Sequence, residues 1–325
     1  MKTVKSWQKI DMEYLTGIKE RRVCAKNEDS YTLARDAAKE CLRNSKYKPE
    51  DIELIVCCSI SKYKDGLDYV YEPTFSVLLK EDLGLKNALN FDVNNACAGM
   101  LTGVLIVDDF IKRGAIKCGM VVSGEHITSL SKNAANKVKL ITSKQLASLT
   151  VGDGGGAVIL ERSSKGQARL SVSHFVTLSQ YCKLCLGSPA KDAPGACMTT
   201  EAREIHKVAI RDSPPILEKA VNASGIAFGD LDHIIPHQTS IRAIKSGGKM
   251  LARHFGVTPK DIVFTLDRFA NTASTTHFIA LYTLLNEKKL KKGENIMLIC
   301  YASGLVVGIV IFTMDELVDK YGSGN

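Results

Sequence analysis

From Ile296 to Met314 the chain runs for 19 residues without a charge. A stretch of that length stands at the threshold for a bilayer-spanning helix. Tyr301, Ser303, Gly304 and Gly308 interrupt it, and valine and isoleucine dominate its second half. The pattern predicts two short buried strands around a tight turn rather than a membrane span. Neither strand alternates apolar with polar residues, so both faces of their sheet must be covered. That requirement points to a layered α/β protein.

The rest of the chain supplies the covering helices. "SYTLARDAAKECLRNS" (30–45) has helical spacing, and "DIELIVCCSI" (51–60) follows as a buried strand. "TFSVLLKEDLG" (74–84) predicts a helix stopped by its glycine, and "NALNFDV" a short strand. "AGMLTGVLIVDDFIKRG" (98–114) is an amphipathic helix and "CGMVVSGE" (118–125) another strand. In "QLASLTVGDGGGAVILE" (145–161) a glycine turn is expected to feed a strand. The second half repeats the style. "EAREIHKVAIRDSPPILEKAVNASG" (201–225) is helical with a break at Pro214–Pro215, and "LDHIIPHQTS" (231–240) is a strand ending in a polar cluster. "IRAIKSGGKMLARHFG" is a helix, "IVFTLDRFANTAST" (262–275) a strand and turn, and "HFIALYTLLNEKKLKKG" (277–293) a helix. The polar, lysine-rich residues 126–145 read as a solvated connection. Two similar halves are expected, 1–161 and 162–325, facing each other across a site.

A chain of 325 residues, 45% hydrophobic and 24% charged, buries enough apolar surface to need no disulfide or metal staples. Its net charge of +8 suits an acidic partner or a phosphate-bearing ligand. Nucleic acid is not expected, because the lysines are scattered and aromatic residues are only 6%. The ten cysteines form no regular framework, and no secretory leader is evident, which predicts reduced thiols in a cytoplasmic protein. Cys182 and Cys185 in "YCKLC", with Cys197 nearby, are a single CxxC without a second ligand pair. They read as free loop thiols, and no metal is expected.

Three stretches carry chemistry. Cys97 in "NNACAGM" opens a helix between small residues that let a carbonyl approach. The helix dipole is expected to favour its thiolate and lower its pKa. His237 in "PHQ" and Asn271 in "ANTAST" each follow a strand of the second half. A cysteine with a distant histidine and asparagine is a nucleophile constellation. Singly each residue is weak evidence, and the same order occurs in cysteine peptidases.

"TGIKERR" (16–22), "FDVNNACAGM" (91–100), "VGDGGGAVIL" (151–160), "IIPHQTS" (234–240) and "LDRFANTAS" (266–274) are more specific together. In this order and spacing they resemble the thiolase superfamily, in its β-ketoacyl-ACP synthase III branch of condensing enzymes. The resemblance covers nearly the whole chain. It implies a thiolase fold, five-layer αβαβα from two pseudo-repeated halves, and a homodimer. It implies that Cys97 takes an acyl group as a thioester, and that His237 and Asn271 support Claisen condensation with a second acyl thioester. The backbone N–H groups of Cys97 and Ser303 would form the oxyanion hole. Arg242 matches a position close to bound coenzyme A. Acyl-CoA or acyl carrier protein thioesters would be substrates, with no further cofactor.

Three departures from the family pattern shape the expectation. The segment before "TGI" is short, with Asp11 and Leu15 near the places of a Trp and an Arg that flank adenine, and with Trp7 as a substitute. A carrier-protein-bound donor gains from this. Glu72 in "YEPTF" stands where the initiating enzymes have a Phe that reaches the partner's acyl pocket. A head-to-head acyl-condensing branch has there a Glu, assigned as the base that removes an α-proton. Alternatively, Glu72 is a surface residue before a proline. Finally, a glycine-rich run reads "YASGLVVG" here, and "PHQAN" reads "PHQTS". These departures point toward secondary metabolism. The alternatives are housekeeping initiation from acetyl-CoA and malonyl-ACP, acyl transfer to an oxygen or nitrogen nucleophile, a non-catalytic heterodimer subunit, and a metal-binding regulator built on Cys182, Cys185 and Cys197.

Overall fold

Two four-stranded sheets organise the chain. The computed structural model describes residues 10–163 and 169–321. The first sheet contains β1 (Leu54–Cys57), β2 (Leu89–Asp92), β3 (Cys118–Glu125) and β4 (Gly154–Glu161), in the order β2-β1-β3-β4. β1 runs parallel to β2 and β3, and β4 runs antiparallel to β3. The second contains β5 (Leu170–Thr177), β6 (His233–Pro236), β7 (Asn295–Ala302) and β8 (Val306–Thr313), in the order β6-β7-β8-β5. β6 is parallel to β7, and β8 is antiparallel to β7 and to β5. A single parallel bridge from Ile262 to Ile234 lies on β6 as β2 lies on β1. The halves therefore repeat one topology, and β5 adds an edge to the second sheet.

Side-chain alternation produces the layers. Leu54 and Val56 point to one face of β1 and join a core with Ile235, Leu298, Cys300 and Val310 of the second sheet. Two helices fill the space between the sheets in that core, α3 (Gly99–Lys112), placed after α1 (Ser30–Arg43) and α2 (Phe75–Leu83), and α7 (Thr276–Asn286). Ile55 and Cys57 face the other way and pack with Ala34, Ala38, Phe75 and Leu79 of α1 and α2. On the far side, Ile234, Met297 and Ile299 pack against Leu217 and Leu251. These belong to the outer helices α5 (Pro214–Ser224), which follows α4 (Ala202–Asp212), and α6 (Ile241–Phe255). The stack is αβαβα, the thiolase fold. Each fully buried Leu or Ile contributes roughly 1.5–3 kcal/mol, whereas an exposed ion pair contributes about 0–1 kcal/mol. The buried apolar side chains of the strands, not the surface pairs, hold the layers.

Several local expectations need correction. Gly154, Gly155 and Gly156 lie inside β4 rather than in a turn before it. A Cβ on Gly155 would stand 2.3 Å from the Leu33 carbonyl, and one on its neighbour Gly124 2.1 Å from the Ser30 carbonyl. The glycines let the backbone of α1 lie directly on the sheet. Residues 262–275 form no strand, only isolated bridges from Ile262 to Ile234 and from Asn271 to Val151, and a side chain described below binds the Val263 carbonyl and the Thr265 and Leu266 N–H groups. Residues 128–135 are helical, and Ala134 and Val138 pack with Ile10, Met12 and Leu149. That segment is therefore not a merely solvated connection. Cys185 and Cys197 lie on the two strands of a hairpin, Cys185–Pro189 paired with Ala196–Thr200. No helix among the described residues is long and apolar enough to cross a membrane. Trp7 lies outside the described residues.

Candidate active site

β2 ends at Asp92, whose carboxylate accepts the Ser76 N–H (2.9 Å) and pairs with Lys62 (2.7 Å), tying the start of α2 to the strand end. Four residues later Ala96 adopts φ +46°, a left-handed conformation that costs an L-residue energy. It presents Cys97 in a single 3₁₀ turn, Ala96–Ala98, that runs directly into α3. A Cβ on Gly99 would meet the Cys58 carbonyl at 2.9 Å, so the turn requires its small neighbour. Cys97 is half-buried and packs against Ile127, Val151 and Ala273. Burial, with added repulsion from Cys185 and Glu125, pushes its thiol up to about 12. This reverses the expected depression by the helix end. A short turn supplies a modest field, and desolvation of the thiolate outweighs it.

The second half brings its two polar residues to the same place by different routes. His237 follows β6, and its N–H donates to the Ile299 carbonyl of parallel β7 (2.8 Å). Its ring is buried, and burial, with a further contribution from His277, lowers its pKa to about 3. It is a neutral imidazole at neutral pH. Asn271 follows the short helix Leu266–Phe269, not a strand. Its N–H donates to Thr150 O and its carbonyl accepts the Gly152 N–H (both 2.9 Å), which locks it to the first half. Its Oδ1 accepts the Ala273 N–H (2.9 Å), leaving the amide NH₂ as the outward donor. Gln238 holds the segment. Its Oε1 accepts from Thr265 N and Leu266 N, and its Nε2 donates to Pro236 O and Val263 O.

Three further groups were not legible as site residues. Glu125 is fully buried at the end of β3 and accepts from Ile60 N, Ser61 N and the hydroxyls of Ser61, Ser123 and Ser274. Burial pushes its carboxyl up, against these donors. His277 opens α7, fully buried, with its ring 5.8 Å from that of His237 at an interplanar angle of 27°. Cys300 on β7 lies with its Sγ within 4.8 Å of a ring nitrogen of each histidine, and its high pKa reflects burial and then Cys97. His237, His277 and Cys300 thus lie together, Cys97 bears on Cys300, and Asn271 is bridged to Val151, on which Cys97 packs.

Ser303 and Arg242, also expected at the site, have partners of their own. Ser303 is in the β7–β8 turn, and its hydroxyl donates to Cys185 O (2.7 Å). Arg242, at the start of α6, is exposed and lies over the Tyr14 ring (4.8 Å), donating to Tyr14 O (3.3 Å). Glu72 is exposed, and among the described residues no hydrogen bond or ion pair joins its side chain to Cys97, His237 or Asn271. Cys182, Cys185 and Cys197 are free thiols.

Residues 91–178 match the family model described as 3-Oxoacyl-[acyl-carrier-protein (ACP)] synthase III, and residues 221–314 match the C-terminal model of the same name. The matches cover more than half of the chain and both sets of pocket residues. The chain belongs to the 3-oxoacyl-[acyl-carrier-protein] synthase III family. Relatives named β-ketoacyl-[acyl-carrier-protein] synthase III agree. That of Symbiobacterium thermophilum is 28% identical over 302 residues, covering 90% of this chain and 86% of the relative. That of Alkalilimnicola ehrlichii is 29% identical over 302 residues, covering 90% and 87%. The crystal structure of the Aquifex aeolicus synthase III is 26% identical, with a TM-score of 0.76 over 92% of this chain and 89% of that one. A variant of Xanthomonas campestris OleA shares the fold, with a TM-score of 0.80 at 24% identity over 93% and 86%. As a synthase III family member the chain is a condensing enzyme of the acyltransferase type.

Proposed function

We propose that the protein loads an acyl group onto Cys97 and joins it to a second acyl thioester, carried by coenzyme A or an acyl carrier protein. The observation that supports this most is that different segments bring Cys97 against Val151, the bridge partner of Asn271, and beside Cys300, which lies with His237. A thiol held near 12 is not a standing thiolate at neutral pH, so its proton must leave as the donor carbonyl arrives. The neutral ring of His237 takes that proton only as sulfur bonds the acyl carbon, and passes it to the departing donor thiol. In the second step an α-carbanion of the second thioester attacks the acyl carbon and Cys97 is released. The His237 ring and the Asn271 amide donate to the oxygen that bears the enolate charge. The Cys97 and Ser303 N–H groups serve the tetrahedral oxyanion of the acyl carbon. Arg242 and the ring of Tyr14 suit a phosphate-bearing carrier arm, and the net charge of +8 suits an acidic carrier. The test is intact-mass analysis after incubation with a panel of acyl-CoA and acyl-ACP donors. A thioester-sized gain with one donor is expected; no gain with any of them defeats the reading.

How the carbanion forms separates secondary metabolism, which we favour from the Glu72 loop, from housekeeping initiation. Initiation gains from one observation: Glu72 is exposed on the single chain. A base role needs a second copy to cover it. Tyr71 beside it is 78% exposed and Tyr69 46%, which supports a homodimer closed over this loop. Light scattering at micromolar concentration is expected to give a dimer, and a fully active monomer would remove that role. Glu72→Gln is expected to load normally and to lose roughly 10²-fold in condensation with a non-carboxylated second substrate. With a malonyl-type substrate the loss is far smaller, because departing carbon dioxide leaves the carbanion. Equal rates for variant and parent on the non-carboxylated substrate would favour initiation.

A further inference from the structure

Beside His237 lies a group that neither loading nor condensation uses. His277 Nε2 lies 2.9 Å from the Ile299 carbonyl. A carbonyl only accepts, so Nε2 carries the ring proton and Nδ1 is a bare lone pair. That Nδ1 is buried without a hydrogen-bond partner, and so is Nδ1 of His237. Buried imidazole nitrogens are ordinarily satisfied, and two orphans on adjacent rings call for a shared ligand. One nitrogen from each ring and the Sγ of Cys300 lie within 4.8 Å of one another, and all three residues are buried.

We propose that His237, His277 and Cys300 form a binding site for a zinc-type divalent cation, one that prefers nitrogen and sulfur donors. A metal-binding histidine characteristically donates its second ring N–H to a backbone carbonyl, which fixes tautomer and orientation. His277 is already held that way, by the residue that precedes Cys300 on β7. Metal–nitrogen bonds of about 2.0–2.1 Å and a metal–sulfur bond of about 2.3 Å bring tetrahedral ligand atoms to about 3.3–3.7 Å apart. Donor pairs at the 4.8 Å limit need to close by about 1.1–1.5 Å. The set contains no oxygen, which disfavours magnesium and calcium. Binding transfers the Cys300 proton to solvent and leaves a metal thiolate. The fourth position is left for water or a substrate atom. A second group, Cys24, His126 and Asp153, is less suited. Both Asp153 oxygens already accept two hydrogen bonds each, from Ile127, Thr128 and Cys24.

The test titrates the metal-free protein with Co²⁺ and then Zn²⁺. A thiolate-to-cobalt charge-transfer band and tetrahedral d–d bands are expected, saturating at one ion per chain and displaced by Zn²⁺. Cys300→Ala should remove the charge-transfer band, and His277→Ala should weaken binding by at least about 10-fold. Cys97→Ala and Cys185→Ala should leave the spectrum intact. Absence of the band, its survival in Cys300→Ala, or its loss in Cys97→Ala overturns the site. The parent needs no variant to fold: its melting midpoint should rise with Zn²⁺ and not with Mg²⁺, and an unmoved midpoint overturns the proposal. A consequence rests on the condensing reading: the ion occupies His237 and stops condensation. A cobalt band without inhibition upholds the site and removes His237 from condensation. Inhibition without the band removes the site.

Discussion

Cys97→Ala is expected to end acyl-enzyme formation outright, with the fold intact. Alanine already occupies positions 96 and 98 and is the strongest helix former, so the 3₁₀ turn and α3 should persist. What disappears is the thiol that stands at the start of α3. Cys57, Cys58 and Cys300 are buried in the layers. Cys185, which lies close enough to Cys97 to raise its pKa, is the competitor to watch, since it stands on an accessible hairpin strand. Intact mass with the preferred donor decides the matter. An unmodified Cys97→Ala protein is the expected result. A full acyl gain in that protein ends the mechanism, and peptide mapping of the gain to Cys185 would name the replacement nucleophile. Far-UV circular dichroism must match the parent, so that loss of loading reports chemistry and not unfolding.

The layers were legible because the strands are apolar on both faces, as "LIVC", "CGMVVSGE" before its terminal Glu125, and the run from Ile296 to Met314 show. Cys97, His237 and Asn271 were legible as motifs. The errors have physical causes. Glycines 154–156 look like a turn by composition, and only the position of α1 reveals that they admit a backbone. The stretch after Ile262 has strand-like residues, yet Gln238 takes the N–H groups of Thr265 and Leu266 and the carbonyl of Val263. Local pattern carries no sign of so distant a partner. Glu125 gathers donors from Ile60, Ser61, Ser123 and Ser274, a set assembled by the fold alone. His277 hides at the head of an apolar helix, where one histidine reads as packing. The thiol pKa of Cys97 went the wrong way because a helix start is visible in sequence and desolvation is not.

His237→Ala and Asn271→Ala are each expected to slow condensation by roughly 10²–10⁴-fold while Cys97 still becomes acylated to completion. The two variants should differ in the first step. A thiol near 12 needs a base to lose its proton, so His237→Ala should also slow loading, and raising the pH should restore part of that rate. Asn271 offers a donor and no base, so Asn271→Ala should load at the parental rate. Single-turnover mixing separates the steps: acylation is followed by mass, then the second thioester is added to the isolated acyl-enzyme. The double variant should lose little beyond the worse single one, because both donors serve the same developing charge and removing one already spoils its stabilisation. Additive losses would mean that the residues act on different charges. Condensation at the parental rate in either isolated acyl-enzyme would take that residue out of the chemistry. It would leave His237 to the histidine–cysteine site, or Asn271 to the bridge it makes with Val151.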